Sequence, residues 1–119
     1  MNLVFVYGTL RSGFGNHSLI SSSKFLGKGI TKKEYALYQM GIPFLVEDES
    51  HKQIVGELYS VSSHVLQNLD MLEGHPSWYQ RKKSTVVING KNFRAWIYFN
   101  RAQGQLIESG DYAKLEIEH

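Results

Sequence analysis

The sequence contains no cysteine among its 119 residues. Disulfide bonds, zinc–thiolate sites and a thiol nucleophile are therefore excluded, and a cysteine-free chain suits a reducing compartment such as the cytoplasm. Long apolar runs are also lacking, because the run from Leu3 to Val6 is too short for a signal sequence and nothing approaches the roughly 18 apolar residues of a spanning helix. We therefore expect a soluble cytoplasmic protein with no membrane partner.

The chain also has little excess charge. Thirteen Lys and Arg residues against eleven Asp and Glu residues leave a formal charge of +2 at pH 7. The basic runs Lys32-Lys33 and Arg81-Lys82-Lys83 fall on predicted strands, where adjacent residues face opposite sides, so no nucleic-acid partner is predicted. With 42% hydrophobic residues, the length suits one domain over residues 1–119, in which 115–119 carry no assigned function. The sequence leaves the oligomeric state open.

The apolar segments predict more strands than helices. The run from Leu3 to Tyr7 is apolar without interruption and stops at Gly8, which indicates a central strand buried on both faces. Asn89-Gly90 favours a tight hairpin turn between strands over 79–88 and 91–99. Three further short strands are predicted around 35–38, 44–46 and 54–59. Because no regular β-α-β alternation is visible, the predicted class is α+β with a closed or nearly closed sheet.

Two helices are predicted. Asn16 is a candidate N-cap for a short helix that ends before Gly27. Ser62 or Ser63 can cap a second helix that runs to Glu73 and ends at Gly74.

Glu73 is the one acidic residue of the second helix that breaks its amphipathic pattern. At about 100° per residue, the helix forms one apolar stripe. On this wheel Glu73 falls between Leu66 and Leu69, so its carboxyl points into the apolar face. Desolvation and the nearby helix C-terminus both raise a carboxyl pKa, which favours a general base near neutral pH. The alternative is that Glu73 only closes the helix or pairs with Arg81. The stripe consists of Val65, Leu66, Leu69 and Leu72.

A second candidate site is the turn formed by Tyr7, Gly8, Thr9 and Leu10. A buried strand that runs into such a turn can expose successive backbone N–H groups, and these bind a carboxylate or a developing oxyanion. A purely structural turn is the alternative.

Aromatic and basic residues supply further candidates for a pocket. Tyr79 and Arg81 are two residues apart on a predicted strand, so they share a face and are candidates for the pocket mouth. Packing of this face is the alternative. Tyr98 and Tyr112 are candidates for pocket walls or for the core.

Two common ligand sites are excluded by spacing. Gly8 and Gly13 imitate the start of a phosphate-binding loop, but Phe14 and Gly15 stand where Lys and Ser or Thr are required. The histidines lack the spacing of a zinc site, so no metal is predicted.

The motifs resemble those of the γ-glutamyl cyclotransferase-like (AIG2-like) family, and are closest to its γ-glutamylamine cyclotransferase branch. The resemblance covers nearly the whole chain. It is carried by Val4 to Arg11, Gly15-Asn16-His17, Leu69-Asp70, Leu72-Glu73-Gly74, Pro76, Tyr79, Arg81, Ala95 to Tyr98 and Ser109 to Tyr112.

The resemblance implies a mixed β-barrel with a few helices, in which the Tyr7–Leu10 turn and Glu73 face one pocket. It implies an amine-releasing lyase whose small-molecule substrate carries a γ-glutamyl group. In that family the glutamate takes a proton from the α-ammonium, and the amine attacks the side-chain carbonyl to give 5-oxoproline and a free amine. No metal or cofactor is implied.

Two other functions are compatible with the sequence. A binding module could hold a small acidic ligand without turning it over, although a buried carboxylate with no task lowers stability. An interaction domain could use the tyrosines on its surface, and it would show no stabilisation by ligand.

Overall fold

The computed structural model describes residues 1–114, and residues 115–119, to which no function is assigned, lie outside the described part. Two 3-10 turns, His17–Leu19 and Tyr112–Lys114, accompany the regular elements. The regular elements are β1 (Asn2–Val6), β2 (Lys24–Gln39), β3 (Pro43–Val46), β4 (Lys52–Val61), α1 (Ser63–Glu73), β5 (Gln80–Ile88), β6 (Lys91–Phe99) and β7 (Gln105–Leu106).

Five strands close into a barrel in the order β2-β4-β1-β6-β5. The barrel closes because β5 pairs back onto β2, with Ile30 opposite Val87 and Thr31 opposite Val86. The pair β1 and β6 is parallel, whereas the other barrel pairs are antiparallel. The short strands β3 and β7 both pair with β2 beyond this ring. The predicted mixed, closed barrel with short helices is therefore confirmed.

β1 is buried on both faces, as its unbroken apolar sequence predicts. Phe5 belongs to the cluster that fills the barrel, and Val4 and Val6 belong to a second cluster beneath α1. Gly56 of β4 lies directly against β1, since a Cβ there would come within 2.6 Å of the Phe5 ring and 2.5 Å of the Val6 carbonyl oxygen. The missing side chain at Gly56 thus makes room for the Phe5 ring.

α1 packs on the outside of the barrel, because five strands leave no room for a helix within. Leu66 and Leu69 are its buried residues, and both pack in the cluster that contains Val4 and Val6. The Ser62 side chain accepts a hydrogen bond from the backbone N–H of Val65 at 3.1 Å. Gly74 ends the helix in the left-handed conformation with a φ of 65°. Both predicted helix boundaries are confirmed.

The predicted hairpin is also confirmed. Asn89 and Gly90 have φ angles of 51° and 77°, the positive values that a two-residue turn between twisted strands requires. Tyr79 lies one residue before β5, so the observed strand is one residue shorter than the strand predicted over 79–88.

The predicted helix between Asn16 and Gly27 is wrong. Only the 3-10 turn His17–Leu19 forms there, and Asn16 makes no side-chain cap. The Asn16 amide instead donates to the Thr9 hydroxyl at 2.9 Å, and Gly27 lies inside the long strand β2 at an irregularity in its pairing with β4. A tertiary contact therefore overrides the local capping preference.

Within residues 1–114, no helix combines the length and the apolar character that crossing a bilayer requires.

We predict that Ser62→Ala lowers the free energy of unfolding by about 1 kcal/mol, since the N-cap hydrogen bond to Val65 is lost. Urea unfolding at constant pH measures the change. Ser63→Ala is the matched control, because Ser63 is the first helical residue and caps no N–H group of α1. Equal effects of the two substitutions would contradict the assignment of the cap.

Candidate active site

One cavity of about 200 Å³ lies where the end of β1 meets the end of α1. It is small compared with the roughly 300–1,000 Å³ of pockets for drug-sized ligands. The predicted turn and the predicted carboxyl both line it, although they are more than 60 residues apart in the chain. The lining residues are Phe5, Val6, Tyr7, Gly8, Thr9, Leu10, Asn16, Ile42, Pro43, Leu72, Glu73, Trp78, Tyr79 and Tyr98.

The Tyr7–Leu10 turn, called the cradle below, makes few hydrogen bonds through its own backbone N–H groups. The Gly8 carbonyl accepts a hydrogen bond from Arg11 N at 3.0 Å, and the Thr9 carbonyl accepts one from Asn16 N at 3.0 Å. In the described part of the chain, no turn hydrogen bond is donated by the N–H groups of Gly8, Thr9 or Leu10. A Cβ at Gly8 would overlap the Pro43 ring, so only glycine fits there. The turn's amides thus remain available to an anion.

A buried ionic cluster anchors the far side of the cradle. Arg11 Nη1 donates to Asp111 Oδ1 at 2.7 Å, and Arg11 Nε lies 3.6 Å from Glu57 Oε2. Glu57 also accepts a hydrogen bond from Ser12 N at 2.9 Å. Although burial alone raises the pKa of the Asp111 carboxyl, its hydrogen bond from Arg11 helps to hold that pKa below the usual value. The cluster fixes the loop that follows Leu10.

Glu73 presents a desolvated carboxyl to the cavity. Burial raises its pKa from the usual 4.5 to about 7. No hydrogen bond or ion pair to this carboxyl is present among residues 1–114. The neighbouring phenols are occupied, since Tyr7 Oη donates to the Tyr98 carbonyl at 2.7 Å and Tyr79 Oη donates to the Pro43 carbonyl at 2.6 Å. Both hydroxyls are therefore turned to the backbone, and neither one donates a hydrogen bond to the Glu73 carboxyl.

The predicted position of Arg81 at the mouth of the pocket is wrong. Arg81 is not among the residues that line the cavity, whereas Tyr79 is. Arg81 forms a two-pronged ion pair with Asp70, with distances of 2.8 Å from Nε and 3.1 Å from Nη2. The reason is that Tyr79 precedes β5, so the strand alternation that would place the two residues on one face does not apply. The alternative in which Arg81 neutralises Glu73 is also excluded, because Asp70 takes both prongs.

Further residues line the cavity beside the turn and Glu73. Ile42 and Trp78 lie in loops and Pro43 is the first residue of β3, so their approach to the cavity depends on tertiary structure. Asn16 was predicted to cap a helix instead. Leu72 belongs to the predicted apolar stripe, yet it is 39% exposed and lines the cavity.

Tyr98 and Tyr112, which were candidates for pocket walls or for the core, lie in different surroundings. Tyr98 is buried and lines the cavity. Tyr112 is absent from the lining and packs against Phe14, with ring centroids 5.5 Å apart.

The lining residues limit the chemistry. Glu73 is the only carboxyl among them, and they include no lysine and no histidine. The Thr9 hydroxyl accepts a hydrogen bond from the Asn16 amide at 2.9 Å. Glu73 is therefore the one carboxyl that the lining offers for acid–base chemistry.

A family model described as gamma-glutamyl cyclotransferase, AIG2-like, matches residues 4–114. The chain belongs to this family. The match begins in β1 and ends in the last 3-10 turn, so it includes all the elements that surround the cavity.

Relatives of the family span most of the chain. A protein of Methanocaldococcus jannaschii, provisionally named a gamma-glutamylcyclotransferase, is 50% identical over 115 residues, which are 94% of this chain and 96% of that protein. The gamma-glutamylaminecyclotransferase of Homo sapiens is 39% identical over 90 residues, covering 68% of this chain and 59% of its own. The crystal structure of an AIG2-like protein from Mus musculus superposes with a TM-score of 0.76 at 32% identity, covering 84% and 77% of the two chains.

We predict that Glu73 makes folding stability fall as pH rises from about 4.5 to about 7. Its pKa of about 7 in the folded state exceeds the usual 4.5. The folded protein therefore binds the proton more tightly than the unfolded chain in this range, and stability declines as the proton is lost. Since a tenfold change in proton affinity corresponds to about 1.4 kcal/mol, the loss reaches at most about 3 kcal/mol.

Urea unfolding of the wild type and of Glu73→Gln between pH 4 and pH 8 measures this loss. The variant should match the wild type near pH 4 and should be the more stable protein at pH 8. Parallel curves for the two proteins would show that the folded-state pKa of Glu73 is not raised.

Proposed function

We propose that the chain is a cyclotransferase that releases 5-oxoproline and a free amine from a γ-glutamyl amine or γ-glutamyl amino acid, with Glu73 as the general acid and base. The observation that carries the proposal is the Glu73 carboxyl, which lies in a small cavity without a counter-ion in the described structure and has a pKa of about 7. Family membership supports the reaction class.

The raised pKa fits the proton that has to move. An α-amino group in water has a pKa of about 7.7–8.0, so a carboxylate with a pKa of about 7 accepts its proton at little cost. A carboxylate with the usual pKa of 4.5 would accept the same proton far less readily. Burial of Glu73 thus adjusts the base to an α-ammonium group.

The reaction balances without any co-reactant. Glu73 takes a proton from the α-ammonium, and the freed nitrogen attacks the γ-carbonyl carbon to form the ring C–N bond. The bond from this carbon to the leaving nitrogen then breaks, and Glu73 returns the first proton to the departing amine. The ring nitrogen gives up a second proton, which the departing amine also takes, so the ring keeps one N–H and the amine leaves as an ammonium ion. Because both reacting groups belong to one molecule, the task of the protein is to fold the substrate into the ring geometry.

The cradle supplies the second requirement, which is stabilisation of negative charge. Gly8, Thr9 and Leu10 line the same cavity as Glu73, and their N–H groups donate no turn hydrogen bond within residues 1–114. They can bind either the α-carboxylate of the substrate or the oxyanion of the tetrahedral intermediate. The Tyr79 hydroxyl donates a hydrogen bond to the Pro43 carbonyl, and the Tyr79 ring can pack against the glutamyl chain as a wall of the pocket.

The proposed substrate is a small molecule of the cytoplasm, in keeping with the absence of cysteine. The names of the relatives mention both gamma-glutamylcyclotransferases and gamma-glutamylaminecyclotransferases. The proposal therefore covers both amines and amino acids as leaving groups, and a panel of substrates separates them.

We predict that Glu73→Gln retains the fold but loses roughly 10²-fold or more of kcat, since a general base is removed. The assay incubates the protein with γ-glutamyl amines and γ-glutamyl dipeptides and measures 5-oxoproline by mass spectrometry. Glu108→Gln is the matched control, because the Glu108 side chain is 68% exposed and remote in sequence from the cavity residues. Full activity of Glu73→Gln would overturn the assignment of the base.

The wild-type kcat/KM should rise with pH through about 7 and then level off, as the free enzyme loses the Glu73 proton. A rise centred near the usual carboxyl pKa would contradict a desolvated base. If a panel member raises the melting temperature but gives no product, the chain is a binding module for a γ-glutamyl ligand instead.

A further inference from the structure

Asp70, which lies one helical turn before Glu73, carries the densest side-chain hydrogen bonding near the cavity. Its Oδ1 accepts from Arg81 Nε at 2.8 Å and from Tyr98 Oη at 2.7 Å. Its Oδ2 accepts from Arg81 Nη2 at 3.1 Å. The side chains of Asp70 and Arg81 are each only 19% exposed, so both prongs of the ion pair are shielded from water. A two-pronged ion pair of this kind fixes the orientation of the two side chains as well as the distance between them.

Arg81 is itself held from two further directions. Its guanidinium lies 4.3 Å from the centroid of the Trp96 ring on β6. The Arg81 backbone N–H donates to His75 Nδ1 at 3.2 Å. The backbone N–H of His75 in turn donates to the backbone carbonyl of Asp70 at 2.9 Å. The network therefore joins the end of α1 to β5 and β6.

This network stands directly behind the candidate base. Residues three apart on a helix are neighbours on its surface, so Asp70 and Glu73 share one side of α1. Tyr98 links them, because its hydroxyl donates to Asp70 and its side chain lines the cavity beside Glu73. A displacement of Asp70 would shift the last turn of α1 and with it the Glu73 carboxyl.

We propose that Arg81 is a positioning residue that acts on Glu73 through Asp70, by locking the last turn of α1 and by balancing the Asp70 charge beside the base. The proposal rests on the proposed function, since positioning matters for catalysis only if Glu73 is the base. Arg81 contacts no substrate in this account, which distinguishes it from the residues of the cavity wall.

The charges around Glu73 make the proposal testable. The titratable groups that face this end of α1 are Tyr7 on β1, Tyr79 before β5, Tyr98 on β6, His75 after the helix, and the pair of Asp70 and Arg81. Burial raises the pKa of the three tyrosines, so they stay neutral at the working pH. The pair of Asp70 and Arg81 is neutral as a unit, and removal of either partner leaves one charge beside Glu73.

Removal of Arg81 and removal of Asp70, each by itself, should therefore shift the Glu73 titration in opposite directions. Arg81→Gln leaves the Asp70 carboxylate uncompensated, which should move the Glu73 titration to higher pH. Asp70→Asn leaves the guanidinium uncompensated, which should move it to lower pH. The double variant restores neutrality, so its titration should return toward that of the wild type. The titration is followed by 13C NMR of the side-chain carboxyls, with Glu73→Gln to assign the resonance.

Mere loosening of the structure would give a different result. Admission of water to Glu73 would lower its pKa in all three variants, because desolvation is what raises it. Shifts in the same direction for Arg81→Gln and Asp70→Asn, or no shift in either, would overturn the proposal. Lys83→Gln is the matched control, since Lys83 also lies over Trp96, at 5.2 Å, and makes no described contact with Asp70. The pH titration of Glu73 in Lys83→Gln should equal that in the wild type.

Turnover supplies the second readout. Arg81→Gln should lower kcat about tenfold or more with little change in KM, because a displaced base impairs the chemical step. Arg81→Lys keeps the charge but loses the fork, so its Glu73 titration should match the wild type while kcat recovers only in part. An unchanged kcat in Arg81→Gln would overturn the positioning role.

The NMR titration needs no substrate, so it separates the two proposals. Opposite shifts of the Glu73 titration in Arg81→Gln and Asp70→Asn, combined with a wild type that releases no 5-oxoproline, would uphold the coupling to Glu73 and reject the proposed function.

Discussion

The Glu73 carboxyl is largely shielded from water, and within residues 1–114 no cation pairs with it. Glu73 can occupy this position because Leu66 and Leu69 anchor the same side of α1 in the core while Gly74 ends the helix immediately afterwards. Arg81, the partner considered for Glu73 from the sequence, pairs with Asp70 instead. Desolvation alone then raises the pKa of Glu73 to about 7, and ionisation of this buried carboxyl lowers stability at neutral pH.

The barrel brings the base and the anion cradle together from distant parts of the chain. β1 lies in the closed sheet between β4 and β6, so its end is held on both sides, and the cradle begins where its pairing stops. The ionic cluster of Arg11, Asp111 and Glu57 holds the next part of the loop from behind. The site therefore combines the backbone of an anchored turn with a carboxyl at the end of a capped helix.

Local patterns predicted the parts of the molecule whose causes are local. The α1 boundaries followed from Ser62 and Gly74, the hairpin followed from Asn89-Gly90, and the position of Glu73 followed from helical periodicity. The helix expected after Asn16 failed because that side chain serves Thr9, a contact made across the cradle loop. Such a contact has no signature in local propensity.

The sequence could not reveal Arg81 as a partner of Asp70, because the pairing depends on how β5 approaches the helix. The central claim is that the substrate, rather than water, supplies the nucleophile. The most direct test is turnover of a γ-glutamyl substrate in H2(18)O, with the glutamyl product analysed by mass spectrometry. The account predicts 5-oxoproline that carries no 18O. Glutamate that has gained 18O would contradict it, since that product requires hydrolysis instead of ring closure.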